Sequence, residues 1–102
     1  MLGIEISVKV TPDKRQEFLH SFKIFTRPER RNDACLDQKL FEDLSEMNRF
    51  LWIEYWNDLE CLKAHCKTDR FHSLLGAFEV LGEMEKIQLV ELRDLSEKID
   101  WI

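Results

Sequence analysis

No apolar run in the sequence is long enough to cross a bilayer, so a membrane-spanning helix is excluded as its organising element. A secretory leader is not indicated either, because MLGIEISVKV alternates apolar and charged residues instead of setting an apolar block behind a basic patch. Cys35, Cys61 and Cys66 are odd in number and form no C-x-x-C pair, which argues against a disulfide framework. They read as reduced thiols that behave as small apolar residues. Basic charge is also in deficit: 15 Lys and Arg stand against 20 Asp and Glu, a formal charge of -5 spread along the chain. That field disfavours nucleic acid and anionic membrane as partners. There is no internal repeat and no low-complexity segment. These absences together predict a cytosolic globular protein.

At 102 residues and 44% hydrophobic, the chain suits one domain with one core. Ile4, Ile6, Val8 and Val10 alternate with Glu5, Ser7 and Lys9, the period of a half-buried strand. Thr11, Pro12 and Asp13 then offer a helix start, and Phe18, Phe22 and Phe25 recur at i, i+4 and i+7 to form an aromatic stripe. Arg27 to Asp33 is polar and holds Pro28, so it reads as a connection. Ala34 to Glu42 and Phe50 to Trp56 flank a short polar segment, as the two arms of a hairpin would.

The stretch from Phe50 to Phe71 carries the least ordinary chemistry. Phe50 to Trp56 is dense in aromatic and β-branched residues, which predicts a strand buried on both faces. Period-2 geometry sets Phe50, Trp52, Glu54 and Trp56 on one face, so an acid lies between two tryptophans. Asn57 or Asp58 can cap the helix that follows, with Leu59, Leu62 and Cys66 at helical spacing and Cys61 and His65 on its flank. Asp69 is expected to cap a further helical segment carrying Phe71, Leu74, Leu75, Phe78 and Leu81, which Gly82 would stop. In KIQLVELRDL the apolar phase shifts, implying a β-bulge or burial on both faces. Apolar Ile99, Trp101 and Ile102 near the C-terminus suggest packing on another surface, such as a second subunit.

The order β-α-β-β-α-β predicts an α+β, ferredoxin-like fold with a four-stranded antiparallel sheet and helices on one face. The uncovered face then needs a partner, and an isologous homodimer is the commonest source of one.

Ala34-Cys35-Leu36, Arg49-Phe50, Ile53-Glu54-x-Trp56, Leu62-x-Ala64-His65, and Thr68 with Phe71 form an ordered set. Through them the chain resembles the antibiotic biosynthesis monooxygenase (ABM) family, especially small bacterial quinol monooxygenase-like members. The resemblance implies one ABM-like domain over residues 1–102 and a dimeric α+β barrel, with the strand and tail from about residue 86 reaching the partner subunit. It also implies oxygenation of phenolic or quinol-type rings without metal or flavin. The electron-rich substrate anion donates to oxygen, while the protein desolvates, orients and removes a proton. Three positions depart from the family pattern: Ala34 replaces a glycine, Gln38 stands where tyrosine is frequent, and Trp52 occupies an asparagine position of the polyketide-type members. The haem-degrading branch is not matched. Ile6 lies where its asparagine would fall, His65 replaces its helical tryptophan, and Leu75 lies where its axial histidine should be. No cofactor is expected.

Each candidate side chain carries two readings. His65 can act as a general base near neutral pH or can orient its helix. Glu54 can accept a substrate proton, hold His65, or pair with an arginine or a buried hydroxyl. Trp52 and Trp56, with Phe22 and Phe71, can wall a pocket for a planar ring or fill the core and an interface. Cys61 and His65 stand at i, i+4, yet no second pair completes a zinc pattern, so no metal is expected. His20 and His72 read as surface residues. Arg27, Arg30 and Arg31 can draw an anion or form a solvated turn. Three functions follow: a cofactor-free monooxygenase on a small aromatic substrate, a non-catalytic ligand-binding or sensory module, and a structural dimer with a filled core.

Overall fold

The structure, a computed structural model, describes residues 1–25, 35–96 and 100–101, with backbone only at 24, 25, 35 and 36. Along the chain these form β1 (Leu2–Val10), a 3-10 turn (Pro12–Lys14), α1 (Arg15–Phe25), β2 (Cys35–Glu42), β3 (Arg49–Trp56), α2 (Leu59–Cys66), α3 (Asp69–Leu81) and β4 (Gly82–Glu91). The strands make one sheet in the order β2-β3-β1-β4, with every neighbouring pair antiparallel. This is the ferredoxin-like α+β arrangement that the strand and helix pattern predicts.

One face of the sheet supplies the core. Ile4, Ile6, Val8 and Val10 of β1 and Phe50, Trp52 and Trp56 of β3 are buried with Phe18 of α1, Leu62 of α2, and Phe71, Leu74, Phe78 and Leu81 of α3. Phe18 bridges the layers, 4.7 Å from Phe50 and 5.5 Å from Phe78 between ring centroids. On the opposite face Ile53 is also buried, and Leu51 and Tyr55 are half-buried, so β3 is apolar on both sides as its composition predicts.

Three local details correct or sharpen the sequence expectations. Thr68, not Asp69, caps α3, its hydroxyl accepting from the Phe71 amide at 3.2 Å. Gly82 does end α3, but in an extended conformation (φ -164°) that opens β4 directly. A Cβ there would lie 2.5 Å from the Lys9 carbonyl oxygen, so close approach to β1 is what requires glycine. The β-bulge lies at Glu85, between the pairs Ser7–Lys86 and Val8–Met84, just upstream of the apolar phase change.

The β2–β3 hairpin is tied to α1 by polar groups. Asn48 adopts φ 68°, a left-handed conformation that asparagine tolerates. Its amide donates to Glu42 Oε2 at 2.8 Å, and its side-chain oxygen accepts from Arg15 Nη1 at 2.9 Å. Arg15 also donates to both Glu42 oxygens, and these bonds, above all the one from Arg15, hold the Glu42 carboxyl down at about 2. After β4 the Leu92 amide donates to the Met1 carbonyl at 2.9 Å. Trp101 is 75% exposed, while Ile99 and Ile102 lie outside the described residues. No helix among the described residues is long and apolar enough to cross a membrane.

Candidate functional site

Strand alternation puts Glu54 on the core face of β3 with no solvent exposure at all. A buried carboxylate is costly unless donors surround it. Here both flanking indoles turn toward it: Trp52 Nε1 donates to Oε1 at 3.0 Å and Trp56 Nε1 to Oε2 at 3.1 Å. Each carboxylate oxygen thus has its own donor, and each buried indole N–H its acceptor.

The third member arrives from α2. Asp58 caps that helix, its side chain accepting from the Cys61 amide at 2.8 Å, a bond that lowers the Asp58 carboxyl below its usual range. The cap folds α2 back over β3 and brings His65 Nε2 to 2.9 Å from Glu54 Oε2, with the His65 side chain 9% exposed. That approach has the distance of an ion pair but lacks the alignment of a hydrogen bond, and Nε2 has no other partner among the described residues. The imidazole is held by rings on two sides: Trp56 at 4.5 Å between centroids and Phe71, edge-on, at 5.1 Å. Thr68 fixes this clamp from the joint between α2 and α3, donating to the His65 carbonyl at 2.7 Å while capping α3.

The structure therefore brings Trp52, Glu54, Trp56, His65 and Phe71 into one cluster, and Phe22 reaches it indirectly, edge-on to Trp52 at 5.5 Å. His20 and His72 are exposed. Arg27, Arg30 and Arg31 lie outside the described residues. Among the described residues, no three of His, Cys, Asp and Glu are placed to hold a metal ion. Cys66 sits behind the cluster, its thiol pushed up by burial and, secondarily, by the Glu54 charge.

In the sequence Gln38 stands out only as a departure from a family pattern. Cross-strand register places it directly opposite Glu54, on the same face, with its Oε1 buried and without a hydrogen-bond partner among the described residues. Only the β2–β3 register exposes that neighbour, and the hairpin loop length is the sequence signal that sets it.

Two cavities bounded by described residues are not lined by the cluster's own polar side chains, although Ile4 and Cys66 beside it line the second. One of about 570 Å³ is lined by Lys9, Thr11, Val80 and Glu83 among others, and an apolar groove of about 420 Å³ runs between α2 and β4 past Leu59, Leu62, Cys66, Ile87 and Leu89. Neither of these is lined by Trp52, Glu54, Trp56 or His65. Ile87 and Leu89 lie at 48% and 55% exposure in this groove.

Comparison with known proteins supplies the context for this geometry. The family model described as antibiotic biosynthesis monooxygenase matches residues 1–75. The uncharacterised protein sll1783 of Synechocystis is 35% identical over 89 residues, covering 86% of this chain and 60% of its own length. This chain thus spans less than two-thirds of that relative. YcnE of Bacillus subtilis, whose name proposes a monooxygenase, is 31% identical over 76 residues, which is 74% of this chain and 80% of YcnE. The solved structure of SnoaB from Streptomyces nogalater, described as a cofactor-independent oxygenase, superposes with a TM-score of 0.79 over 95% of this chain and 97% of that one. At 16% identity that likeness establishes the fold alone.

Proposed function

Since the chain belongs to the antibiotic biosynthesis monooxygenase family, we propose that it is a cofactor-independent monooxygenase acting on a small phenolic or quinol-type ring. The observation that carries the reading is the buried Glu54 carboxylate, held by two indole N–H groups and facing His65 at 2.9 Å. The name of YcnE supports the same class.

In this reading His65 takes the proton of a ring hydroxyl. The imidazolium that forms sits beside the Glu54 carboxylate, which offsets the new charge where water cannot. Glu54 itself stays fixed, because both of its oxygens are already committed to the indoles. The resulting ring anion is electron-rich and reduces oxygen directly. The overall step balances without an external reductant: a phenol and O2 give a quinone and water, with one oxygen atom entering the ring and the other leaving as water. Trp52, Trp56, Phe22 and Phe71 supply the aromatic faces against which a planar ring stacks.

The open sheet face, with Ile53, Leu51 and Tyr55, is assigned to a second copy packed face to face, as in a dimeric barrel, with the C-terminal tail reaching across. The free thiols Cys61 and Cys66 fit a reducing, cytoplasmic setting.

The test is oxygen uptake by chelator-treated protein against a panel of phenols and quinols, beside His65→Ala and a protein-free blank that measures auto-oxidation. Uptake above the blank that falls in the variant is expected. No uptake from any panel member would sink the enzymatic reading. One observation favours a second function: Trp52 and Trp56 are fully enclosed, so the same residues could serve a binding module that opens for a ligand, or a purely structural dimer. Ligand binding without turnover selects the first of these, and absence of both selects the second.

A further inference from the structure

Glu54 is walled on almost every side. Along β3 stand Trp52 and Trp56, on the β1 side Ile4 occupies the paired position, and His65 lies over it from α2. The remaining side faces β2, which is the edge strand of the sheet, and the residue paired with Glu54 there is Gln38. Gln38 is itself only half-buried, yet its Oε1 is buried and accepts no hydrogen bond among the described residues. His65 Nε2, on the other flank of Glu54, is likewise buried without an aligned partner. An orphan acceptor beside a buried carboxylate is unusual, because it raises the free energy of the folded state unless something fills it when the protein works.

We infer that Gln38 is a substrate-positioning residue: its Oε1 accepts the O–H of one ring hydroxyl at the β2 edge and so orients the ring, in a quinol-type substrate presenting a different hydroxyl to His65. The inference rests on the ring-binding half of the proposed function and extends it to specificity. An acceptor at this place selects rings that carry a hydroxyl donor over the same rings carrying an ether. Discrimination is strong where a site is built around a hydroxyl, since the analogue without the donor leaves the acceptor unpaired.

The experiment compares two probes, 1-naphthol and 1-methoxynaphthalene, by calorimetric titration into wild type and Gln38→Met, which keeps side-chain length and removes the acceptor. Wild type is expected to prefer the naphthol by about tenfold, and Gln38→Met to lose that preference with ether affinity unchanged. A structural role would not split hydroxyl from ether. Melting temperature is the second readout. The variant should melt several degrees higher than wild type, because it no longer buries an orphan acceptor. A preference that survives in Gln38→Met, a lower melting temperature in that variant, or failure of wild type to bind or distinguish the probes would each overturn the proposal. Oxygen uptake separates the two claims. Lost preference without any turnover leaves Gln38 as a positioning residue and removes the oxygenase reading, whereas turnover with preference unchanged does the reverse.

Discussion

Replacing Glu54 by glutamine changes shape very little and chemistry a great deal. The carboxylate accepts from two indole N–H groups, at 3.0 Å and 3.1 Å, one on each oxygen. An amide has one acceptor and one donor end, so in either orientation one buried indole N–H meets another N–H. An orphaned buried donor costs about 1–3 kcal/mol. The surviving indole bond loses its charge assistance, worth about half its strength, and His65 loses the charge 2.9 Å away. Against this, the variant no longer desolvates a carboxylate, a return that can reach several kcal/mol for a poorly paired ion. Here the ion is well paired, so the return is small and the net cost should be about 2 kcal/mol. For a domain of this size that is roughly 8–12 °C in melting temperature. Denaturant unfolding of Glu54→Gln, Trp56→Phe and the double variant measures it. Trp56→Phe removes one of the two donors in advance, so the double variant should be more stable than the sum of the singles predicts, by about 1–2 kcal/mol. A Glu54→Gln protein within about 0.5 kcal/mol of wild type, with no coupling to Trp56, would refute the claim that these bonds hold the charge.

Trp56→Ala empties a fully buried site against Glu54 and His65 and should cost about 3–5 kcal/mol, so an unchanged melting temperature would contradict the packing described. Gly82→Ala places a Cβ 2.5 Å from the Lys9 carbonyl oxygen, and the shift it forces between β1 and β4 should destabilise by about 1–3 kcal/mol in the same assay. Glu42 supplies a pH signature: its carboxyl falls from the ordinary 4.5 to about 2, chiefly through the hydrogen bond from Arg15. A depressed folded-state value means stability that is present above pH 4.5 and lost as pH falls through about 2. Glu42→Gln should therefore flatten the stability profile across that window, and an unaltered acid slope would remove the Arg15 contact from the explanation.

What the sequence discloses depends on how local the signal is. Glu54 between Trp52 and Trp56 is legible because three residues at i, i+2 and i+4 of one strand share a face whatever else the chain does. His65 is legible because the Asp58 cap starts a helix immediately after that strand, and the connection is too short to carry the helix elsewhere. Gln38 is not legible in this way, since its relation to Glu54 exists only once β2 and β3 pair in one register. The same holds for Arg15 with Glu42 and Asn48, which are joined across 27 and 33 positions of sequence. Gly82 shows the limit from the other side. Sequence identifies it as a helix stop, while the cause, contact with the Lys9 carbonyl, belongs to the packing of β4 on β1.

Among the described residues the groove between α2 and β4 is not lined by Trp52, Glu54, Trp56 or His65, and that bears on where a substrate would react. The groove between α2 and β4 has volume, but Leu59, Leu62, Ile87 and Leu89 give it apolar walls, and the thiol that reaches it, Cys66, is held toward its neutral form by burial. Such a groove can retain a ring without changing it. The Glu54 cluster has the opposite character: a paired buried charge, an imidazole with an unaligned nitrogen, and an orphan acceptor on the edge-strand side, all within closed aromatic packing. Proton removal needs positioned polar groups more than preformed space. Under the proposed function a substrate ring displaces aromatic contacts at the β2 edge, and a hydroxyl that donates to Gln38 Oε1 returns part of the energy of that opening. Under the same proposal a ring without the hydroxyl meets the same packing and recovers less of its cost, so the closed state favours hydroxylated rings.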